Sequence, residues 1–221
     1  MPKIIFNIAT VERRKPLFLD VLKMLARQTV KSDLINVALG YTNMDSEVWE
    51  FLRKNFKKVK IKWRGAELPC EYKLFGIDAA PCDSYNLTFD DDIVYPADYA
   101  EKAIEGVERH ARKAIVGFHG IQFDKFPVVN YKAQKTMLQY FKHIPEDAEV
   151  NVIGTGCMAF YMGTLLDKRF LFDQVNTKSN CLDGSFGRWA RDNRIKMIVL
   201  LHEADWMKIF PNSQDNEALW V

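Results

Sequence analysis

Tyr85-Asn86-Leu87-Thr88-Phe89-Asp90-Asp91-Asp92-Ile93-Val94-Tyr95-Pro96 decides how the rest of this 221-residue chain is read. A half-apolar run of strand type drives into three consecutive carboxylates and leaves through an apolar pair to a proline. Aspartate is depleted in strands, and neighbouring like charges repel. Such a cluster at the end of a core strand wants a counter-charge, and a divalent cation with oxygen ligands supplies one. Alternate residues of an extended strand share a face. Asp90 and Asp92 then point one way and Asp91 the other, so that Asp-x-Asp offers two oxygens to one ion. Magnesium or manganese held by one or two carboxylates completes its shell with water and substrate phosphates. The competing reading is a solvated acidic turn at the N-terminus of a helix begun by Pro96, where carboxylates are also favoured.

Upstream, Ile4, Ile5, Phe6, Ile8 and Ala9 make a nearly continuous apolar strand, as expected when both faces of a sheet are covered. Residues 10–14 follow as a loop. Pro16 opens a helix, and Leu17, Phe18, Val21, Leu22 and Leu25 recur at helical spacing. Residues 34–39 form a second strand closed by Gly40. Ser46 is placed to cap a helix carrying Val48, Leu52 and Phe56. Residues 59–63 alternate and read as a half-exposed strand near an edge. Residues 71–80 read as a short helix weakened by Gly76. After the aspartates come a helix over 96–112 and a strand over 114–118.

This alternation predicts an α/β fold: a single domain with a mostly parallel, doubly wound central sheet and helices on both faces. In such sheets ligands bind beyond the carboxyl ends of the strands. The aspartates and the loops at 10–14 and 40–45 would converge there. The second half is less regular. Residues 120–131 read as loop, 134–141 as helix, and 150–153 as a strand leading through Gly154-Thr155-Gly156 into an apolar run at 157–161. Asp183 opens an N-capped helix, and residues 195–201 form a last strand ending in His202. The tail after Phe210 is polar.

Lys and Arg number 31 against 29 Asp and Glu, a net charge of +2 that is too balanced for a nucleic-acid binder. With 48% apolar residues the chain can build a core. No apolar run approaches the roughly 20 residues of a membrane span. The opening Met1-Pro2-Lys3-Ile4-Ile5-Phe6 is too short for a signal peptide. Cys70, Cys82, Cys157 and Cys181 show neither Cys-x-x-Cys pairs nor histidines at zinc spacing, and read as reduced thiols of a cytoplasmic protein.

The segment Thr88-Phe89-Asp90-Asp91-Asp92-Ile93-Val94-Tyr95-Pro96 resembles the strand-end Asp-x-Asp element, and the proline helix after it, of nucleotide-sugar-dependent glycosyltransferases of the GT-A fold. The likeness is strongest to the inverting family 2 group. The opening strand and its loop, the 154–156 loop, Asp183 before a helix and the late His202 follow in the same order. The small size and metal motif are similar to those of viral and capsule-type glycosyltransferase modules. One departure is that the family's early Asp-Gly-Ser is absent; the corresponding loop reads Gly40-Tyr41-Thr42-Asn43-Met44-Asp45.

The resemblance implies a nucleotide-binding half at 1–120 and an acceptor-binding half at 121–221. It implies that Asp92 binds Mn²⁺ or Mg²⁺, that Asp90 meets the ion or the donor ribose, and that His202 is a third ligand. Asp91 joins the donor-binding set. Thr10, Arg13 and Asn43 would line the nucleotide pocket, and Lys73 would meet the diphosphate. Asp183 would be the general base that takes the acceptor hydroxyl's proton. Trp189 and Trp206 would stack on an acceptor sugar. The donor would be a UDP-sugar and the acceptor a glycan or glycoconjugate. Three alternatives stay open. A nucleotidyltransferase would carry a glycine-rich basic loop where this chain has Ala9-Thr10-Val11-Glu12-Arg13-Arg14. A phosphohydrolase would place its Asp-x-Asp after the first strand. A non-catalytic metal- or sugar-binding module would show no turnover.

Overall fold

In the computed structural model, which describes residues 1–63, 73–128, 135–165 and 182–211, the chain builds an eight-stranded sheet. Strands β1 (Lys3–Thr10), β2 (Leu34–Leu39), β3 (Val59–Trp63) and β4 (Ser84–Phe89) lie side by side as β3-β2-β1-β4, all parallel. β3 is the edge, and its exposed lysine suits a strand that must not pair further. Then follow β5 (Ile93–Val94), β6 (Ala114–Gly117), β7 (Gly120–Phe123), β8 (Lys135–Leu138) and β9 (Ala148–Val150). The last strands are β10 (Val152–Ile153), β11 (Met158–Tyr161), β12 (Lys196–Val199) and β13 (Lys208–Ile209). The large sheet continues from β4 as β11-β6-β12-β9, with β11 antiparallel to both neighbours. The expected mostly parallel α/β architecture is present.

Helices α1 (Lys15–Ala26), α2 (Ser46–Asn55), α3 (Tyr99–Arg109) and α4 (Leu182–Asp192) cover the sheet. The strand pleat sorts the core into two layers. Phe6, Ile8, Leu87 and Phe89 pack with Phe18, Leu22, Leu52, Tyr99 and Ala103 of the first three helices. Ile5, Ile115, Phe160 and Val199 pack with Phe186, Trp189 and Ala190 of α4. On the opposite face from Phe6, Ile35 and Leu87 the strands carry buried polar residues that bond across the sheet. Asn36 Nδ2 donates to Asn7 Oδ1 at 2.8 Å, Asn7 Nδ2 reaches Leu87 O at 3.3 Å, and Thr88 Oγ1 donates to Met158 O at 3.1 Å. Gly76 lies so close to this ladder that a Cβ would stand 2.1 Å from Asn36 Nδ2.

Several elements differ from the sequence reading, each for a visible reason. The helix expected from Pro96 begins only at Tyr99 and ends at Arg109. Pro96 O is engaged by Gln28 Nε2 at 2.7 Å and Ala97 O by Thr29 N at 2.8 Å, so 96–98 is tied to the end of α1. Asp45, not Ser46, occupies the N-cap of α2, with no side-chain cap bond. The described part of 71–80 holds a 3-10 turn at Ile77–Ala79 where a helix was expected, because Gly76 is packed on the asparagine ladder. Residues 120–123 are strand rather than loop, and 135–138 are strand rather than helix: β7 and β8 pair as an antiparallel hairpin, and β10 pairs along the other edge of β7. Residues 150–153 split at Asn151 between two sheets, Asn151 N donating to Ile121 O. Cys82 and Cys157 are free thiols; Cys70, Cys181 and the tail beyond Pro211 lie outside the described residues. Among the described residues no helix is long and apolar enough to cross a membrane.

One ionic joint holds the far end of the sheet. Asp147 accepts from Arg109 Nε at 2.9 Å, Arg109 Nη2 at 3.1 Å, His110 Nε2 at 2.9 Å and Leu201 N at 2.9 Å. Burial alone would raise its pKa, but together these donors hold the carboxyl below the ordinary range. A depressed folded-state pKa means that the stabilisation is complete above the unfolded value near 4 and is lost as pH falls through the folded value. Asp147→Ala should cost about 1–2 kcal/mol at neutral pH, discounted for partial exposure. Urea titrations at pH 7 and pH 3 check this: the gap between wild type and variant should shrink at the lower pH.

Candidate active site

β4 delivers the aspartates to the carboxyl edge of the parallel strands and stops at Phe89. Asp91 and Asp92 therefore sit in a turn into β5, not on a continued strand. That turn is held from both sides. Phe210 N donates to Asp92 O at 2.8 Å, and β13 pairs with β5. Asp90 N donates to Tyr95 OH at 2.7 Å, and Tyr95 OH donates to Gly156 O at 2.6 Å. A buried phenol thus couples the aspartate turn to the 154–156 loop.

The three carboxylates have separate surroundings. Asp90 pairs through Oδ1 with Lys73 Nζ, and a Cβ on Gly156 would lie 2.0 Å from its Oδ2. Only glycine lets the loop approach this carboxylate so closely. Asp92 Oδ2 pairs with Arg14 Nη2 at 3.2 Å. Asp92 is pushed up by burial first and then by the charge of Asp90, while Arg14 and Lys73 oppose the rise. Both side chains are 37% exposed. Two partly open carboxylates that repel each other are a hard-oxygen donor pair suited to a dication whose other ligands are water and phosphate.

Asp91 turns inward. Burial pushes it up to about 6; the nearby Thr10 hydroxyl opposes the rise, while Asp92 and Asp90 add to it. Neither Asp91 Oδ2 nor Thr10 Oγ1 completes a hydrogen bond. Two more buried polar atoms in this corner have no partner, Arg14 Nη1 and Tyr41 OH. Tyr41 follows β2 where the loop after Gly40 begins, with Lys15 Nζ 5.2 Å from its ring centre, and its pKa is lifted by burial and by Asp45, Glu12 and Asp91. Buried polar groups are nearly always bonded. Unused hydrogen-bonding capacity gathered beyond three adjacent strands is what a polar ligand would complete.

Asp183 stands in the first turn of α4 and feels the charge of Asp90. Thr155 donates twice to its Oδ1, from N at 3.1 Å and from Oγ1 at 2.7 Å. Burial raises its pKa; the Thr155 hydroxyl and Lys73 pull the other way. Lys73, with its side chain only 4% exposed, also reaches Thr155 O at 3.4 Å. Asp90, Lys73, Thr155 and Asp183 are therefore one connected ionic unit, and Asp92, tied to Arg14, lies close enough to feel the charges of Asp90 and Lys73.

The other residues singled out in the sequence are placed as follows. Thr10 is buried at the end of β1, whereas Arg13 and Asn43 are exposed on their loops. His202 is buried against Phe118 and Trp206, with Nδ1 2.7 Å from Leu200 O and Nε2 3.4 Å from Gln139 O. Among the described residues no group of three or more His, Cys, Asp and Glu side chains converges, so His202 is not gathered with Asp90 and Asp92. Trp189 is core, 3% exposed, and Trp206 donates from Nε1 to Asp98. Arg14, Tyr41, Tyr95 and His119 had no signature in the sequence: each is a single residue without a spacing partner.

No protein-family model matches the sequence, and no curated protein matches it. Solved structures match its fold. S. aureus TarS 1–349 in complex with UDP is similar with a TM-score of 0.62 at 14% identity, over 91% of this chain and 59% of that one. GalNAc-T7 with UDP, GalNAc and Mn²⁺ is similar with a TM-score of 0.61 at 8% identity, over 93% of this chain and 45% of that one. The chain thus spans 59% and 45% of the lengths of these two structures. At such identities the likeness is one of fold, and the fold is GT-A.

Proposed function

We propose that the chain is a glycosyltransferase that moves a sugar from a nucleotide-diphosphate donor, a UDP-sugar, to a hydroxyl of a glycan or glycoconjugate acceptor with inversion. The observation that carries this reading is the group of unpartnered buried atoms, Thr10 Oγ1, Arg14 Nη1, Tyr41 OH and Asp91 Oδ2, beside two partly exposed carboxylates at the strand ends. A nucleotide offers hydroxyls, carbonyls and phosphates to such a corner. Both similar structures contain UDP, and one contains Mn²⁺.

Asp90 and Asp92 are the residues that would hold Mn²⁺ or Mg²⁺, which when bound supplies positive charge beside the departing diphosphate. Arg14 and Lys73, which pair with those carboxylates, turn to phosphate oxygens when the diphosphate binds. Asp183, oriented through Oδ1 by Thr155, takes the proton of the acceptor hydroxyl. The acceptor oxygen forms its bond to the anomeric carbon as the bond to the diphosphate oxygen breaks, and the electron pair leaves with UDP. A raised pKa makes Asp183 a stronger base than an exposed carboxylate.

A thermal-shift screen of UDP-, GDP-, TDP- and CMP-sugars, with Mn²⁺ and with chelator, tests the proposal. UDP at about 100 times its Kd should add roughly 2.7 kcal/mol of stability, which is about 5–10 °C for a chain of this size. Chelator and Asp92→Ala should each remove that shift. If no nucleotide diphosphate stabilises the protein in a metal-dependent way, or Asp92→Ala responds as wild type does, the reading fails.

A further inference from the structure

We propose that His119 binds a hydroxyl of the donor's sugar through Nδ1, placing the sugar between the aspartate turn and Asp183; this rests on the glycosyltransferase reading above. His119 follows β6 at the carboxyl edge of the sheet, and its carbonyl accepts from Gly154 N at 2.9 Å. The 154–156 loop is pressed onto the ring: a Cβ on Gly154 would lie 2.9 Å from His119 Cδ2. The ring also meets Tyr140, with centroids 5.8 Å apart. The imidazole is thus fixed in orientation by both contacts, as a binding group needs to be.

Its Nδ1 is buried and has no hydrogen-bond partner. In the neutral ring this nitrogen can accept from a ligand hydroxyl when the proton sits on Nε2, or donate to one when it does not. Burial lowers the pKa to about 4, with Asp90 opposing and Lys135 adding to the fall, and the ring is neutral at physiological pH. A neutral, unpartnered ring nitrogen beside an aromatic ring, within reach of the charge of Asp90, suits a hydroxyl-bearing ligand with an apolar face. A pyranose is such a ligand. The same loop that flanks His119 holds Thr155 on Asp183 and Gly156 against Asp90, so a sugar touching His119 lies within the ionic unit.

The experiment measures Kd by calorimetry with Mn²⁺ for UDP and for UDP-glucose, UDP-GlcNAc and UDP-GalNAc. His119→Phe should weaken the UDP-sugars that wild type binds by about tenfold and leave UDP within about twofold. His119→Asn, whose Oδ1 takes the place of Nδ1, should recover most of the loss; a merely structural histidine would not be rescued in this selective way. Equal binding of the UDP-sugars by His119→Phe and wild type, or an equal loss for UDP and UDP-sugars, overturns the assignment. Failure of wild type to bind UDP at all overturns the glycosyltransferase reading and this one with it.

Discussion

Gly156→Ala should weaken metal-dependent UDP binding by about 100-fold while leaving the protein folded. The added methyl would stand 2.0 Å from Asp90 Oδ2 and 2.6 Å from its Cγ, distances that no real Cβ contact shows. Something must move, and the carboxylate end of Asp90 can move more easily than the backbone. Gly156 does not have the positive φ that only glycine adopts readily, so alanine meets no backbone strain of its own. Displacing Asp90 by about an ångström loosens its pair with buried Lys73, which should cost about 1–2 kcal/mol. The functional loss should be far larger, on the order of 100-fold, because a donor pair misplaced by that distance no longer matches ion and phosphate together. Melting curves with and without UDP and Mn²⁺ separate the two effects. Gly184→Ala is the control: nothing lies within 4 Å of its Cβ position, so both melting curves should rise together, by the up to about 1 kcal/mol that alanine adds in a helix, and the UDP-dependent shift should stay as in wild type. A UDP-dependent shift of normal size in Gly156→Ala would mean that Asp90 has no part in the site.

The importance of Gly156 could not be read from the sequence, and the reason is instructive. The four parallel strands were legible because apolar runs and helical spacing agree over β1, α1, β2 and α2: local pattern and global packing ask for the same residues there. The Asp90–Asp92 cluster was legible because carboxylates at the end of a buried strand contradict strand preference, and such conflicts gather where ligands bind. The β7–β8 hairpin was not. Lys135-Thr136-Met137-Leu138 contains good helix formers, and only pairing with Gly120–Phe123 makes it a strand. The corner proposed for the nucleotide was half legible. Thr10 lies in it, but the neighbouring 3-10 turn Glu12–Arg14 exposes Arg13 and turns Arg14 to Asp92. A one-residue choice of that kind depends on three-residue geometry, which spacing does not encode. Tyr95 is a lone residue held by a bond across the chain, and Tyr41 and His119 stand out only by buried atoms left without a partner.

Asp183→Asn should remove sugar transfer, by about 10²–10⁴-fold, and leave UDP affinity unchanged. The amide keeps an oxygen for Thr155 N and Oγ1, so the loop and α4 stay joined. What it loses is the ability to take a proton. If Asp183 is the base, it must be ionised to act, and burial sets its pKa above the ordinary carboxylate value. The acid limb of kcat/KM should therefore lie above the ordinary carboxylate range in wild type. Thr155→Val gives the sign a second test. The Thr155 hydroxyl bond lowers the Asp183 pKa, so deleting the hydroxyl should raise it further and move the acid limb to higher pH. Such a variant would keep most of its activity at alkaline pH and lose it earlier on acidification. A limb that moves down or stays in place would show that the proton is taken by another group. An Asp183→Asn enzyme with wild-type turnover would remove the residue from the mechanism, while leaving Asp90, Asp92 and the nucleotide corner to be judged by UDP binding alone.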